Sequence, residues 1–220
     1  MMHTKTNKYY KQIGDGLLAQ HMRPVHVHEL EALQRIVFPT LDEDELILAV
    51  HYLRHLEVFP DGQFVITQND KVIGMTTTMR SHFNFSHYYH TFKDTIAGGW
   101  LTNHNPGGEW LYGLDVGVHP DYRGKGLARH LYRARHELAK DLGLKGQVTV
   151  GMMNGYGAVN NEISGEQYFK ELLEGKRTDP TITPQMKMGF EPIALIPDYL
   201  NDPACGNYGV LIKIDINKVI

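Results

Sequence analysis

Residues 110–132 read WLYGLDVGV, HPDYRGKG and LARHLY in succession. The first block is a strand of about nine residues, ended by His119-Pro120. The last block opens a helix running to about Leu142, whose apolar positions Leu127, Leu131, Ala134, Leu138 and Leu142 fall on one face. Between them Gly124 and Gly126 alternate with Arg123 and Lys125. A turn built only for compactness needs no cations, and a helix built only for stability does not begin with two glycines. The first N–H groups of a helix lack internal partners and carry partial positive charge. Glycines remove the Cβ atoms that would keep a ligand away from them. Strand, glycine turn and helix together predict a socket for a phosphate or pyrophosphate.

The segments around this unit alternate in type. Residues 28–38 and 42–57 read as helices, the second with acidic residues in its first turn. FPDGQ is a turn, and QFVITQ and KVIGMTTTMR form a hairpin about Asn69-Asp70. Residues 82–108 fit no regular element and are rich in His, Tyr, Phe, Asn and Gly, as a functional or mobile loop would be. GQVTVGMM is a strand. Residues 155–180 form an insertion with a short helix, for which Ser164 and Gln167 supply a capping box. ITPQMKMGF is a last short helix, and FEPIALI and YGVLIKIDI are closing strands. Interleaved helices and strands with a hairpin predict one α/β domain over residues 1–220: a mixed sheet with helices on both faces.

Composition narrows the function. Of 220 residues 42% are apolar, enough for a core, and 22 basic against 25 acidic side chains leave a net charge of −3, which argues against a nucleic-acid partner. No apolar run approaches membrane-spanning length, and the N-terminus lacks the apolar centre of a secretory signal. Cys205 is the single cysteine, so neither an intramolecular disulfide nor a thiolate metal cluster can form. These readings favour a cytoplasmic protein. His51 and His55 have helical i, i+4 spacing, but YLR between them lacks a zinc protease's glutamate, and no metal is expected. His82, His87, His90 and His104 lie in the long loop, as pocket lining or as exposed residues.

The glycine turn lacks the Gly-x4-Gly-Lys-Ser/Thr of a Walker loop, and Arg129 stands where a dinucleotide fingerprint needs its third glycine. Arg-x-x-Gly-x-Ala after a strand ending in VHP does fit a known pattern. The run from Val116 to Ala128 resembles the main motif of the GCN5-related N-acetyltransferases, and MKMGFEP resembles that family's late helix-to-strand signature. The resemblance covers about residues 20–154 and 181–215. LYGLDVGVHPDYRGKG and the stretch from Ile163 to Leu200 further resemble the acetyltransferase-like domain preceding carbon–nitrogen hydrolase domains, of which this chain would be a stand-alone version.

The resemblance implies a mostly antiparallel sheet with one splayed strand pair, and acetyl-CoA as co-substrate. It places the pyrophosphate on Arg123, Gly124, Lys125, Gly126, Leu127, Ala128 and Arg129. It places the pantetheine arm along Val116, Gly117 and Val118, with the Val116 amide polarising the thioester carbonyl and Asn154 touching the arm unless it is a turn cap. A primary amine, on a small molecule or a peptide, would attack directly. Asp115, alternating with Gly113 and Gly117 on a bare strand face, is the first candidate base; Tyr112 on the other face and Glu109 at the strand mouth are further options. The family's usual acid, a tyrosine four residues before the glycine of GF, is replaced by Gln185, so Tyr168 is the candidate acid and Tyr156 a second. Gln185 also supports a rival reading, a non-catalytic acyl-CoA-binding or regulatory module. A homodimer is left open.

Overall fold

A computed structural model describes residues 9–220, so most of the N-terminal stretch read for a signal lies outside the described residues. The strands are β1 (Tyr10–Gly14), β2 (Leu17–His21), β3 (Phe64–Gln68), β4 (Lys71–Ser81), β5 (Trp110–Val118), β6 (Gly146–Met152), β7 (Glu191–Ile196) and β8 (Gly209–Asp215). They form one sheet in the order β1-β2-β3-β4-β5-β6-β8-β7, antiparallel throughout except for the parallel pair β5–β6. The helices are α1 (Val27–Val37), α2 (Ala49–Val58), α3 (Phe92–Ile96), α4 (Leu127–Asp141), α5 (Gly165–Leu173) and α6 (Ile182–Lys187).

Successive side chains of a strand point to opposite faces. Val65 packs with Leu30 and Leu33 of α1 and Tyr52 of α2, whereas its neighbour Ile66 packs with Leu131 and Leu138 of α4. The α1/α2 pair and α4 therefore cover opposite faces of the sheet, as the mixed-sheet reading requires. The predicted apolar stripe of α4 is the buried one: Leu127, Leu131, Ala134 and Leu138 are each at most 6% exposed. Each such leucine contributes roughly 1.5–3 kcal/mol of burial free energy.

Three sequence expectations need correction. The sequence reading begins at the first helix, whereas the structure starts with the hairpin β1–β2, whose Asp15-Gly16, with φ of 47° and 70°, is the left-handed pair that a tight hairpin turn uses. The second helix starts at Ala49, not Asp42. Its acidic prelude forms a short turn and anchors a distant loop: Glu45 Oε2 accepts from the Asn201 amide (2.8 Å) and Asp42 Oδ2 from Asn201 Nδ2 (2.7 Å). The stretch 82–108 is not free of structure. It contains α3, capped reciprocally by Thr91 and Asp94, and it buries Phe92, Ile96 and Leu101 in the core.

Candidate active site

The centre of the molecule is shaped by one extra residue. Thr77 of β4 pairs with Asp115 and Thr78 with Gly113, so Leu114 of β5 is bulged. A bulge bends its strand and increases the local twist. β5 pairs with β6 only over Leu111–Gly113 against Gln147–Thr149, and beyond that point the two strands diverge. The Thr149 hydroxyl donates to the Gly113 carbonyl (2.7 Å) at the crotch of the divergence.

The bulge also inverts the strand's faces. A Cβ on Gly113 would overlap the Arg135 guanidinium of α4, whereas Asp115 reaches Gln34 of α1 and a Cβ on Gly117 would touch Val37 of α1 and Met75. Gly113 and Asp115, expected on one face, are on opposite faces, because a single inserted residue shifts a period-2 pattern by one. Both glycines are bare because a neighbouring side chain occupies the space.

A cavity of about 100 Å³ passes between the diverging strands. Its walls within the sheet are Leu114–Val116 and Thr149–Met152. Toward α4 and α6 it is lined by Tyr132, Asn154, Thr181 and Gln185; toward α1 it is lined by Phe38, Leu41, Phe92, Tyr199 and Leu200. The Glu45 and Asp42 anchors on Asn201 hold the neighbouring loop, and with it the Tyr199–Leu200 wall.

The glycine turn follows the open end of β5. Gly124 and Gly126 both have φ of 76°, and a Cβ on either would meet no atom within 4 Å. Left-handed backbone, rather than crowding, is why these positions are glycine. Gly126 caps α4 without offering any side chain to its first amides. Arg123 Nε donates to the Val118 carbonyl (3.1 Å), Lys125 lies over the Tyr122 ring (5.0 Å), and Arg129 is exposed beside them. Leu127 is buried beneath the turn while Ala128 is half-buried. The turn therefore presents uncapped amides and three cations to open space.

The other predicted residues fall unevenly. Val116 is half-buried on the cavity wall, and Gly117 and Val118 continue the same strand toward the turn. Asn154 lines the cavity and donates to Thr181 Oγ1 (2.8 Å). Asp115 lines it too, but its oxygens are engaged: Oδ1 accepts from the Thr77 amide (2.7 Å) and hydroxyl (2.9 Å), and Oδ2 from Gln34 Nε2 (2.8 Å). Burial raises its pKa, opposed by Arg135, Thr77 and Gln34. The fully buried Arg135 donates to the backbone carbonyls of Asp115 and Thr77.

Tyr168 is away from the cavity lining. Its hydroxyl donates to Asp179 Oδ2 (3.1 Å), and the same carboxylate accepts the amides of Gly155, Thr181 and Ile182. Burial and Asp179 raise the tyrosine's pKa. Tyr156 stacks edge-on against it and donates to the Ile163 carbonyl. Glu109 precedes β5 at its closed end, exposed and bonded to Lys145 (2.8 Å), whose hydrogen bond and charge lower its pKa. Distance along the strand separates it from the divergence.

Sequence reasoning missed Tyr132. It lies on α4, is 5% exposed, and its oxygen accepts from Gln185 Nε2 (2.7 Å). The residue standing where a tyrosine was expected thus holds a tyrosine from another helix. Gln185 Oε1 is buried with no partner in the protein, an orphan acceptor at the cavity wall. The sequence signals for this pair are the tyrosine beside Leu131 on a buried helical face and the anomalous Gln185. Among the described residues no group of His, Cys, Asp and Glu is arranged to hold a metal ion, and no helix is long and apolar enough to cross a membrane.

A divergent parallel pair, a bulge beside it and an uncapped glycine turn form one unit, and the sequence profile of the acetyltransferase (GNAT) family matches residues 27–156. The chain belongs to the GNAT family. It is 30% identical over 200 residues to the uncharacterized N-acetyltransferase YkwB of Bacillus subtilis (strain 168), covering 90% of this chain and 88% of that protein. It is 30% identical over 198 residues to the probable hydrolase YhcX of the same organism, covering 90% of this chain but 38% of that longer protein. The loading GNATL domain of CurA from Lyngbya majuscula has the same fold, with a TM-score of 0.77 at 20% identity, over 92% of this chain and 98% of that domain. The GphF GNAT-like decarboxylase, solved with isobutyryl-CoA, superposes with a TM-score of 0.73 at 20% identity, over 90% of this chain and 99% of that one. Acyl transfer from a CoA-based co-substrate is the chemistry that GNAT membership supports for this chain.

Proposed function

We propose that the protein is an N-acyltransferase that moves an acetyl group from acetyl-CoA to a primary amine by direct attack. The observation carrying this reading is the cavity that crosses the sheet between β5 and β6, with the uncapped glycine turn on one side and an aromatic wall on the other. The two ends suit two different substrates. The pyrophosphate would sit on the amides following Gly124 and Gly126, attracted by Arg123, Lys125 and Arg129. The pantetheine arm would run along Val116 to Val118, a strand edge that β6 leaves beyond Gly113. Gln185 Oε1 and Asn154 offer an acceptor and an amide to the arm's own amides.

The thioester carbonyl then faces the Val116 amide, which stabilises the developing oxyanion. Tyr132 supplies the proton for the departing sulfur. Gln185 Nε2 donates into its oxygen, so the phenolic proton is left to point elsewhere, and burial keeps the phenol protonated at neutral pH. The proton that leaves Tyr132 for the thiolate is replaced by one from the newly acylated nitrogen, so the tyrosine ends unchanged. Asp115, with its oxygens spent on Thr77 and Gln34, is assigned to fixing the bulge that opens the cavity rather than to the proton.

Support comes from family membership, from the relative named as an N-acetyltransferase and from the acyl-CoA bound in the GphF structure. The test is thiol release from acetyl-CoA and isobutyryl-CoA over a panel of amines. Amine-dependent release with acetyl-CoA is expected. Folded, CoA-binding protein that releases no thiol with any amine would leave the binding-module reading instead. Loss of CO₂ from a carboxyacyl-CoA without any amine would assign decarboxylation.

A further inference from the structure

Amine attack needs a base, because an alkyl amine arrives as its ammonium at neutral pH. The cavity offers no free carboxylate: Asp115 is fully engaged and Glu109 is at the closed end of the sheet. The long loop between β4 and β5 supplies a path out of the cavity. Tyr199 lines the cavity, its hydroxyl is 3.4 Å from that of Tyr112, and the Tyr112 hydroxyl is 2.7 Å from His90 Nε2. On the far side of the imidazole, His90 Nδ1 is 2.6 Å from the Tyr88 carbonyl.

These contacts fix the protons around the His90 ring. A carbonyl can only accept, so Nδ1 carries the hydrogen and Nε2 of the neutral ring is an acceptor. Tyr112 must then donate to Nε2, which leaves its oxygen free to accept from Tyr199, with the Thr95 hydroxyl bonded beside the pair. The chain points one way, from the cavity to a histidine that is half-buried. Phe83 closes one side of the ring, and Tyr112 and Tyr199 stand edge-on to it.

We propose that Tyr199, Tyr112 and His90 form a proton relay that carries the acceptor's ammonium proton out of the cavity, with His90 as its terminus. The inference rests on the amine-transfer reading. The ammonium gives a proton to the Tyr199 oxygen, Tyr199 passes its own to Tyr112, and Tyr112 passes its own to Nε2. Both tyrosines end neutral, His90 becomes imidazolium and returns the proton to solvent. The free amine then attacks the thioester, and its second proton is the one that balances the sulfur. The 3.4 Å hydroxyl pair is the loose link, and such links shorten when a substrate fills the site. Burial, the largest effect, lowers the His90 pKa below 6.5, opposed by its bond to Tyr88 and by Asp94 of α3, so the resting ring is neutral with Nε2 open to a proton. Among the described residues, Tyr112 on β5 and Tyr199 after β7 also face it.

The test compares two acceptors in His90→Gln, Tyr112→Phe and Tyr199→Phe. One is a primary alkylamine, charged at neutral pH. The other is methoxyamine, which arrives uncharged and needs no relay. Each variant is expected to lower kcat/KM for the alkylamine by roughly 10²–10⁴ and to affect methoxyamine far less. In His90→Gln the acidic limb of the pH–rate profile, lying below 6.5 in the wild type, should vanish. Equal losses for both acceptors would mean a structural role and overturn the relay, as would no loss in either. Nitrogen NMR of the His90 ring gives a readout that needs no turnover. A neutral ring protonated on Nδ1 is expected, and one protonated on Nε2 would overturn the relay even in an active enzyme. A ring protonated on Nδ1 in a protein that acylates no amine would overturn the transfer reading instead.

Discussion

Replacing Gly126 by Asp separates what the glycine turn does for the fold from what it does for the ligand. Gly126 has φ of 76° and its Cβ position is open, so the substitution meets no clash. Left-handed backbone costs a side-chain-bearing residue about 1–2 kcal/mol. A carboxylate at the uncapped start of a helix returns about 0.3–1 kcal/mol, so the fold should lose no more than ~1.7 kcal/mol. Binding is affected more. At ~5 Å in water, one unit charge repels another by about 0.8 kcal/mol, or ~1.7 kcal/mol for the two charges of a pyrophosphate. The carboxylate also takes the amides the ligand would use. Acetyl-CoA affinity should therefore fall at least about tenfold, roughly 1.4 kcal/mol. Titration calorimetry checks this with two companions. Gly126→Ala has the strain without the charge and should lose less. Gly143→Ala, at φ of 64° beyond the other end of α4 and equally open, should bind like wild type. The Asp penalty should shrink in high salt, because screening shortens the reach of exposed charges. A folded Gly126→Asp protein with wild-type affinity would refute the socket.

Further expectations concern the proton donor, the core and acid stability. Tyr132→Phe should lower kcat by roughly 10²–10⁴ with little change in KM for acetyl-CoA, and a wild-type rate would remove Tyr132 as the donor. Gly113→Ala should destabilise the protein by about 3 kcal/mol, the upper end of overpacking costs, because the methyl group displaces the buried Arg135 guanidinium; denaturant unfolding at wild-type midpoint would contradict this. His55 is fully buried, with Nε2 bonded to the Gly99 carbonyl and Nδ1 without a partner, and burial lowers its pKa to about 4. A depressed pKa means that its stabilising contribution is complete above 6.5 and is lost as pH falls toward 4, by up to ~3 kcal/mol at ~1.36 kcal/mol per pH unit. His55→Gln should flatten the unfolding midpoint across that window, and an unchanged slope would show that other groups set it.

What the sequence alone determined is local. The nine-residue strand, the Arg-Gly-Lys-Gly turn and the amphipathic helix after it each follow from residues within a few positions of one another, and all three lie where they were read. The Asn69-Asp70 hairpin is legible for the same reason, and Asp15-Gly16 carries an equally local hairpin signal. The proton-handling residues are a different matter. Alternation along β5 put Gly113 and Asp115 together, but the bulge at Leu114 is a pairing between two strands, and it sends them to opposite faces. Tyr132 meets Gln185 across 53 positions, and His90 joins Tyr112 and Tyr199 across 22 and 109. A tyrosine on a buried face has the same pattern whether it fills a core or faces a substrate. Only the packing of helix against diverging strands decides which hydroxyl faces the cavity, and that is a property of the assembled chain.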